Sequence, residues 1–444
     1  MTDSLPTPLK QALTAKLAES LVGTLPAGTP RQVHGAVEMP GKATAVIGMR
    51  RAGKTTFLHQ LRRERLERGV PRECLPYLNF EDERLTGLEA GHLSFLVEEY
   101  GRRFSETRSH DIVTWCFDEI QVVPGWERFV RRLLDEGRYE ILVTGSSAAL
   151  LSREIATALR GRAWEVRIFP FSFAEALRHR QLTIPGDLGM LTGAERARIE
   201  SAFSDWLTGG GFPEAQGLKD ASRHQLLRDY VDVAIFRDVV ERHGVTNVLG
   251  LRWLVRHLLG NAASLFSVEK FYGALRSQGV AISKDTVHHL LAHLEDCFLV
   301  RTVWMESTSE RQRMVNPRKS YPVDSGLIPL FDRTGRGNTG HALETAVLIE
   351  LERRRLEVTY VRTPAGHEVD FLARGHDGRS DLIQVCADAS DPATAERELR
   401  ALVEAGQLYP ESRRLLLTMS ADGAPPGSPT EVIVRPAYEW MLDE

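Results

Sequence analysis

From residue 43 onward the chain alternates short apolar runs with stretches whose apolar residues recur every three or four positions. ATAVIG, LPYLNF, IVTWCF and EILVTG are each about six residues long and largely apolar, the pattern of strands buried on both faces. Between them, TTFLHQLRRERLERG, SFLVEEYGRRF and WERFVRRLLDEG carry helical spacing. Strands alternating with helices predict a parallel sheet with helices on both faces, an α/β fold. Upstream, Leu9, Leu13, Leu17 and Leu21 form one stripe of a predicted helix, followed by a Pro/Gly-rich region over 25–41.

After Arg167 the alternation stops. Residues 168–262 read mostly as helices with glycine-rich breaks, notably TGGGFPE at 208–214. A helix–turn–helix pattern covers 264–306: FSVEKFYGALRSQG, a turn, then SKDTVHHLLAHLEDCFLVRTVW. Mixed α/β character returns over 316–418, with strands expected at VTYVRT, EVDFLAR, LIQVCA and RLLLTM and a helix over GHALETAVLIELERRR. SADGAPPGSPT connects to a last strand, EVIVRP. Nothing repeats internally.

The chain has 444 residues, which at ~150 per domain suggests two to four domains. With 42% hydrophobic and 26% charged residues it can bury ordinary cores. No apolar run approaches the ~18 residues that cross a bilayer, and the N-terminus lacks the apolar core of a signal peptide. A cytoplasmic protein without a membrane partner is expected. Cys74, Cys116, Cys297 and Cys386 have no metal-ligand or disulfide spacing. A net charge of −4 gives no long-range attraction for phosphate, so any nucleic acid must be met by a local basic surface.

Gly48-Met49-Arg50-Arg51-Ala52-Gly53-Lys54-Thr55 matches G-x-x-x-x-G-K-[ST] directly after a strand and at the start of a helix. Its glycines let backbone N–H groups turn toward phosphates, and the helix N-terminus adds its positive end. The expected nucleotide-binding set is Gly48, Arg51, Ala52, Gly53, Lys54, Thr55 and Thr56, with ATP as ligand. Lys54 is placed to reach the β/γ-phosphates and Thr55 to put a hydroxyl on Mg²⁺.

WCFDE at 115–119 is an apolar strand ending in two carboxylates. Asp118 is expected to hold Mg²⁺ through water, and Glu119 to activate the attacking water. The fourth strand ends in Thr144-Gly145-Ser146-Ser147, where a hydroxyl can sense the γ-phosphate or cap the next helix. Glu81 and Asp82 follow the second strand, either as support for Mg²⁺ or substrate or as a solvated turn.

The segments GMRRAGKTT, YLNFEDERL, FDEIQ with its following W-x-x-F-V-x-x-L, TGSSAALLSREIATALRGR, FPFSFAEAL and GGFPE run collinearly through the first half. With them the chain resembles bacterial and archaeal AAA-type ATPases whose ATP module is fused to a C-terminal domain of unknown function. The resemblance implies a sensor at Ser146 and an arginine finger for a neighbouring subunit at Arg160 or Arg162, whose alternative is a solvated helix end. It also implies a homo-oligomer.

The resemblance extends to a winged-helix module and a restriction-endonuclease-like core. The expected division is an N-terminal helix and linker over 1–42, an AAA-like ATPase core over 43–175 and a helical lid over 176–262. A winged-helix-like module then covers 263–310, and a nuclease-like mixed α/β domain 311–444. In the module, Lys284, His288 and His289 would face outward, but Glu269, Asp285, Glu295, Asp296 and Glu306 balance its cations. The basic segment 311–319 is the better phosphate contact, since phosphate binding needs clustered Lys and Arg. In the last domain Glu344, Asp370 and Gln384 stand where such cores carry their acids, while Gln-x-Cys at Gln384–Cys386 replaces Glu-x-Lys. Losing a charged ligand and the lysine together predicts a nuclease-like scaffold without efficient cleavage. The expected protein is an Mg-dependent ATPase driving an oligomeric motor or remodeller on DNA. The rival is an ATP-dependent switch that binds a protein partner.

Overall fold

The structure, a computed structural model, describes residues 5–104, 112–146, 159, 161–332 and 338–443. The chain divides into two compact units, Met1–Ile168 and Phe169–Glu444.

The first unit is built on five parallel strands: β1 (Ala43–Ile47), β2 (Tyr77–Asn79), β3 (Val113–Asp118), β4 (Tyr139–Gly145) and β5 (Ala163–Arg167). Their order is β2-β3-β4-β1-β5, so β1 lies inside the sheet and its carboxyl end opens between neighbours. The four strands expected from apolar runs form as expected. The fifth, AWEVR, is an edge strand with four of its five residues half-buried or exposed, so it carries no continuous apolar run. Helices α1 (Thr7–Val22), α2 (Lys54–Glu67), α3 (Leu93–Arg103) and α4 (Trp126–Asp135) accompany the sheet. Leu9, Leu13 and Leu17 of α1 are buried, and the helix packs on α3 and β2. The helix expected over ALLSREI lies outside the described residues.

In the second unit come α5 (Phe173–His179), α6 (Gly193–Gly209), α7 (Asp220–Val233), α8 (Val248–Gly260), α9 (Val268–Ser277), α10 (Lys284–Asp296), α11 (Thr339–Arg353), α12 (Pro392–Leu408) and α13 (Ala437–Leu442). A π-helical turn, Ala234–Glu241, continues α7. The strands are β6 (Ser264–Phe266), β7 (Val300–Met305), β8 (Arg318–Pro322), β9 (Glu357–Arg362), β10 (Glu368–Arg374), β11 (Ser380–Val385), β12 (Arg413–Thr418) and β13 (Val432–Pro436). They form one mixed sheet in the order β13-β12-β11-β10-β9-β7-β8-β6. β7 pairs with β9 in parallel, Trp304 opposite Thr359, and so joins the β7–β8 hairpin to strands β9–β13.

The glycines of TGGGFPE have a packing reason. A Cβ on Gly211 would come within 2.3 Å of the Phe171 carbonyl oxygen, and one on Gly210, at φ +78°, within 1.9 Å of Asp324 Oδ1. Residues 210 and 211 can therefore approach the segments at Phe171 and Asp324 only without side chains of their own. Asp324 stitches them, accepting the Gly211 N–H at 2.7 Å and the Gly326 N–H at 3.0 Å. Among the described residues no helix is long and apolar enough to cross a membrane.

Candidate functional site

β1 runs into the loop at Gly48 and α2 leaves it at Lys54, so the loop closes the carboxyl end of a central strand. Gly48, at φ +150°, admits no side chain: a Cβ would lie 2.1 Å from the Ile168 carbonyl oxygen. Arg51 and Gly53 take positive φ, 64° and 102°, which turns the loop sharply before the helix starts. Lys54 is buried, with Nζ donating to the Gly48 and Met49 carbonyls at 3.1 and 3.2 Å and lying 3.8 Å from Glu119 Oε1.

Asp118 ends β3 and is fully buried. Its Oδ2 accepts the hydroxyls of Thr55 at 2.8 Å and Tyr77 at 2.7 Å, and its Oδ1 accepts Thr144. Burial pushes this carboxyl above the usual range, and the hydroxyl donors pull it back. Glu119 follows at φ +53°, its N–H donating to Thr144 Oγ1 at 2.8 Å and its carboxylate accepting Gln121. Parallel register makes this cluster: β2 sets Asn79 opposite Asp118, and β4, with Val143 opposite Phe117, brings Thr144 level with the end of β3. A carboxylate and a hydroxyl 2.8 Å apart are the hard oxygen donors that suit Mg²⁺.

Sequence reasoning named Lys54, Thr55, Asp118 and Glu119, and the fold brings all four together. It missed Tyr77 and used Thr144 only as part of a strand end. Their signal was faint, a hydroxyl at the start of the short β2 and one near the end of β4. Ser146 is buried just beyond Thr144. Ser147 and Arg160 lie outside the described residues. Arg162 precedes β5 at the amino end of the sheet, where its carbonyl accepts the Ala43 N–H at 2.8 Å, at the end away from the P-loop. Its guanidinium pairs with Asp135. Glu81 pairs with Arg50 at 3.0 Å, while Asp82 pairs with Lys16 and caps the turn at Arg84, which accounts for both acids structurally.

A second polar cluster lies in the other unit. Glu344 on α11, Asp370 on β10 and Gln384 on β11 converge, and so does a residue the sequence reading placed elsewhere, Lys319 of β8. Its Nζ is 3.0 Å from Glu344 Oε1 and 2.8 Å from Asp370 Oδ1. A lysine thus stands beside these acids, supplied by β8 and not by position 386, which is the cysteine read there. Of the cations in segment 311–319, Lys319 is buried, Arg318 stacks 3.5 Å over the Trp304 ring, Arg313 pairs with Glu310, and Arg311 is exposed. Lys284 is paired as well, with Glu269.

The β1–loop–α2 unit with an acidic pair ending β3 defines the class, and comparison with known proteins agrees. Residues 40–177 match the AAA domain family, and 200–335 match a domain of unknown function. The chain belongs to the family of an uncharacterized protein of Methanocaldococcus jannaschii, to which it is 32% identical over 372 residues, 83% of this chain and 79% of that one. An uncharacterized protein of Haemophilus influenzae is 29% identical over 333 residues, 75% of this chain and 79% of that one. Among solved structures, the Walker-type ATPase paby2304 of Pyrococcus abyssi overlaps 72% of this chain and 95% of its own at 16% identity and a TM-score of 0.39. Overlap at that level says nothing about what this chain binds.

Proposed function

We propose that the chain is an Mg-dependent ATP hydrolase acting as an oligomer on DNA. The observation that carries the ATPase is the convergence of Lys54, Thr55, Asp118 and Glu119 around one glycine-bounded loop. In this reading the loop amides and Lys54 bind the β/γ-phosphates, Lys54 exchanging its loop carbonyls for phosphate oxygens. Thr55 and Asp118 would hold Mg²⁺, which when bound neutralises charge on the phosphates. Glu119 orients the attacking water and takes its proton. Thr144 fixes where that carboxylate stands by holding its backbone. Ser146 faces the γ-phosphate as sensor, and Arg160 or Arg162 supplies positive charge to a neighbouring subunit's site. Arg162 lies at the wrong end of its own sheet to reach its own phosphates, so it can act only in trans.

The DNA part rests on a cleft of about 1170 Å³ in the second unit, lined by α7, α8 and α9. Arg228, Arg252, Arg256 and Lys270 line it against Asp232 and Asp332, a local positive excess in a chain of net charge −4. In this reading α9 and α10 with β6–β8 act as a winged helix, and α11 with β9–β13 as a nuclease-like core. A specific observation favours the second reading, a nucleotide switch that docks a protein: Lys284 at the start of α10, a cation expected to meet phosphate, pairs at the surface with Glu269, which offsets its charge. ATP turnover measured alone and with single-stranded, duplex and branched DNA separates the two. Stimulation lost in Arg256→Ala/Lys270→Ala supports the DNA reading, and turnover indifferent to every DNA supports the switch.

A further inference from the structure

Lys319 lies at the centre of a polar shell. Its Nζ contacts Glu344 Oε1 at 3.0 Å, Glu368 Oε1 at 2.8 Å and Asp370 Oδ1 at 2.8 Å, on a side chain only 4% exposed. Two of the ammonium's N–H bonds are donated to Glu344 and Asp370, and Glu368 stands at ion-pair distance. Glu368 and Asp370 stand two apart on β10 and so share one face, while Glu344 comes from α11. The Tyr321 hydroxyl donates to Glu344 Oε1 at 2.7 Å. Asp370 Oδ2 accepts the Val385 N–H at 2.9 Å. Gln384 uses both ends of its amide, accepting the Asp370 N–H at 3.3 Å and donating to Glu398 at 2.7 Å.

A nuclease-like core would use the helix glutamate and strand aspartate to hold a divalent cation, and here the residues do not fit one. The oxygens it would need are on an ammonium, and the carbonyl of Gln384 is neutral and already engaged. Among the described residues no group of three or more His, Cys, Asp or Glu is arranged to hold a metal. A divalent ion in the same shell would stand within a few ångströms of a fixed positive charge, shielded from water, where repulsion is strong. Burial alone would favour the neutral amine, but the three carboxylates outweigh it and hold the Lys319 ammonium well above its ordinary range.

We propose that Lys319 is a built-in cation that takes the place of the metal in the nuclease-like core, gathering Glu344, Glu368 and Asp370 so that the domain stands without a divalent ion. The domain is then independent of chelators and does not hydrolyse phosphodiesters. With the amine removed, Glu344, Glu368 and Asp370 are three like charges left uncompensated, and they can rearrange from their present spacing to take a hard divalent cation in its place. This inference is independent of the ATPase assignment.

The test uses full-length protein without nucleotide, in an Asp118→Asn background that silences the P-loop, with Mn²⁺ binding read by electron paramagnetic resonance. The Mn²⁺ isotherm of this background should not change on adding Asp370→Asn. Lys319→Ala should gain one Mn²⁺ site that vanishes in Lys319→Ala/Asp370→Asn, and Mn²⁺ should raise its melting temperature. Asp370-dependent Mn²⁺ binding with Lys319 in place would overturn the proposal, as would a folded Lys319→Ala that gains no site. Should that variant not fold, acetic anhydride labelling of intact Lys319 still decides. Equal protection in chelator and in Mn²⁺ supports the built-in cation, whereas labelling that rises with Mn²⁺ means that metal displaces the lysine and rejects it.

Discussion

The hydroxyl of Thr144 accepts the backbone N–H of Glu119 at 2.8 Å while donating its own proton to Asp118. One side chain at the end of β4 thus positions both acids at the end of β3. Thr144→Val keeps the shape and removes both bonds. Leaving the buried Glu119 N–H unpaired should cost about 1–3 kcal/mol of stability. Turnover should fall further than ATP affinity, since the carboxylates shift while the loop that binds phosphate remains. Thermal melts and steady-state ATPase kinetics check both effects, and a variant with unchanged kcat would remove the positioning role.

Lys54→Ala deletes the cation that meets the β/γ-phosphates. A charged hydrogen bond contributes ~1.5–3 kcal/mol, so ATP affinity should drop about 10- to 100-fold. Fluorescent-nucleotide titration reads it directly.

Glu119→Gln preserves Asp118 and Thr55, the donors suited to the metal, but cannot accept a proton from water. Nucleotide should still bind with near wild-type affinity while turnover falls by ~10²–10⁴. Hydrolysis at the wild-type rate would show that another group is the base.

An arginine acting in trans leaves binding intact and depresses catalysis, by ~10³–10⁵ where such a finger is fully engaged. Arg162→Ala and Arg160→Ala are each expected to bind ATP normally, and the one that is the finger to lose turnover. Wild-type specific activity should rise with protein concentration. A strictly monomeric protein with concentration-independent activity would exclude the finger.

Asp324 is buried between the glycine-rich segment and the loop before Ile328, and burial pushes its carboxyl up to about 6. With the folded value above the ordinary 3.8, folding favours the protonated form. Its contribution is therefore fully present below the unfolded value and is lost as pH rises through about 6, at most about 3 kcal/mol for a shift of this size. Asp324→Asn does not titrate. Urea denaturation across this window should give the wild type a steeper fall in stability with rising pH than the variant, and parallel profiles would refute the assignment.

Local sequence by itself determined the P-loop, the acidic pair after an apolar strand, and strands β1–β4 with the helices between them. Each depends on neighbours a few residues apart: glycines that turn the backbone, a helix that starts at Lys54, runs apolar enough to be buried on both faces. What pairing between distant segments builds was decided only by the tertiary structure. Tyr77 and Thr144 reach Asp118 through the register of three parallel strands, and β5 is held at an edge where no apolar run marks it. Lys319 belongs by sequence to a basic stretch and by fold to a carboxylate shell whose members Glu344, Glu368 and Asp370 lie far along the chain, Glu344 and Asp370 25 and 51 residues away. A charged side chain's role depends on which charges the chain folds around it, and sequence spacing does not carry that information.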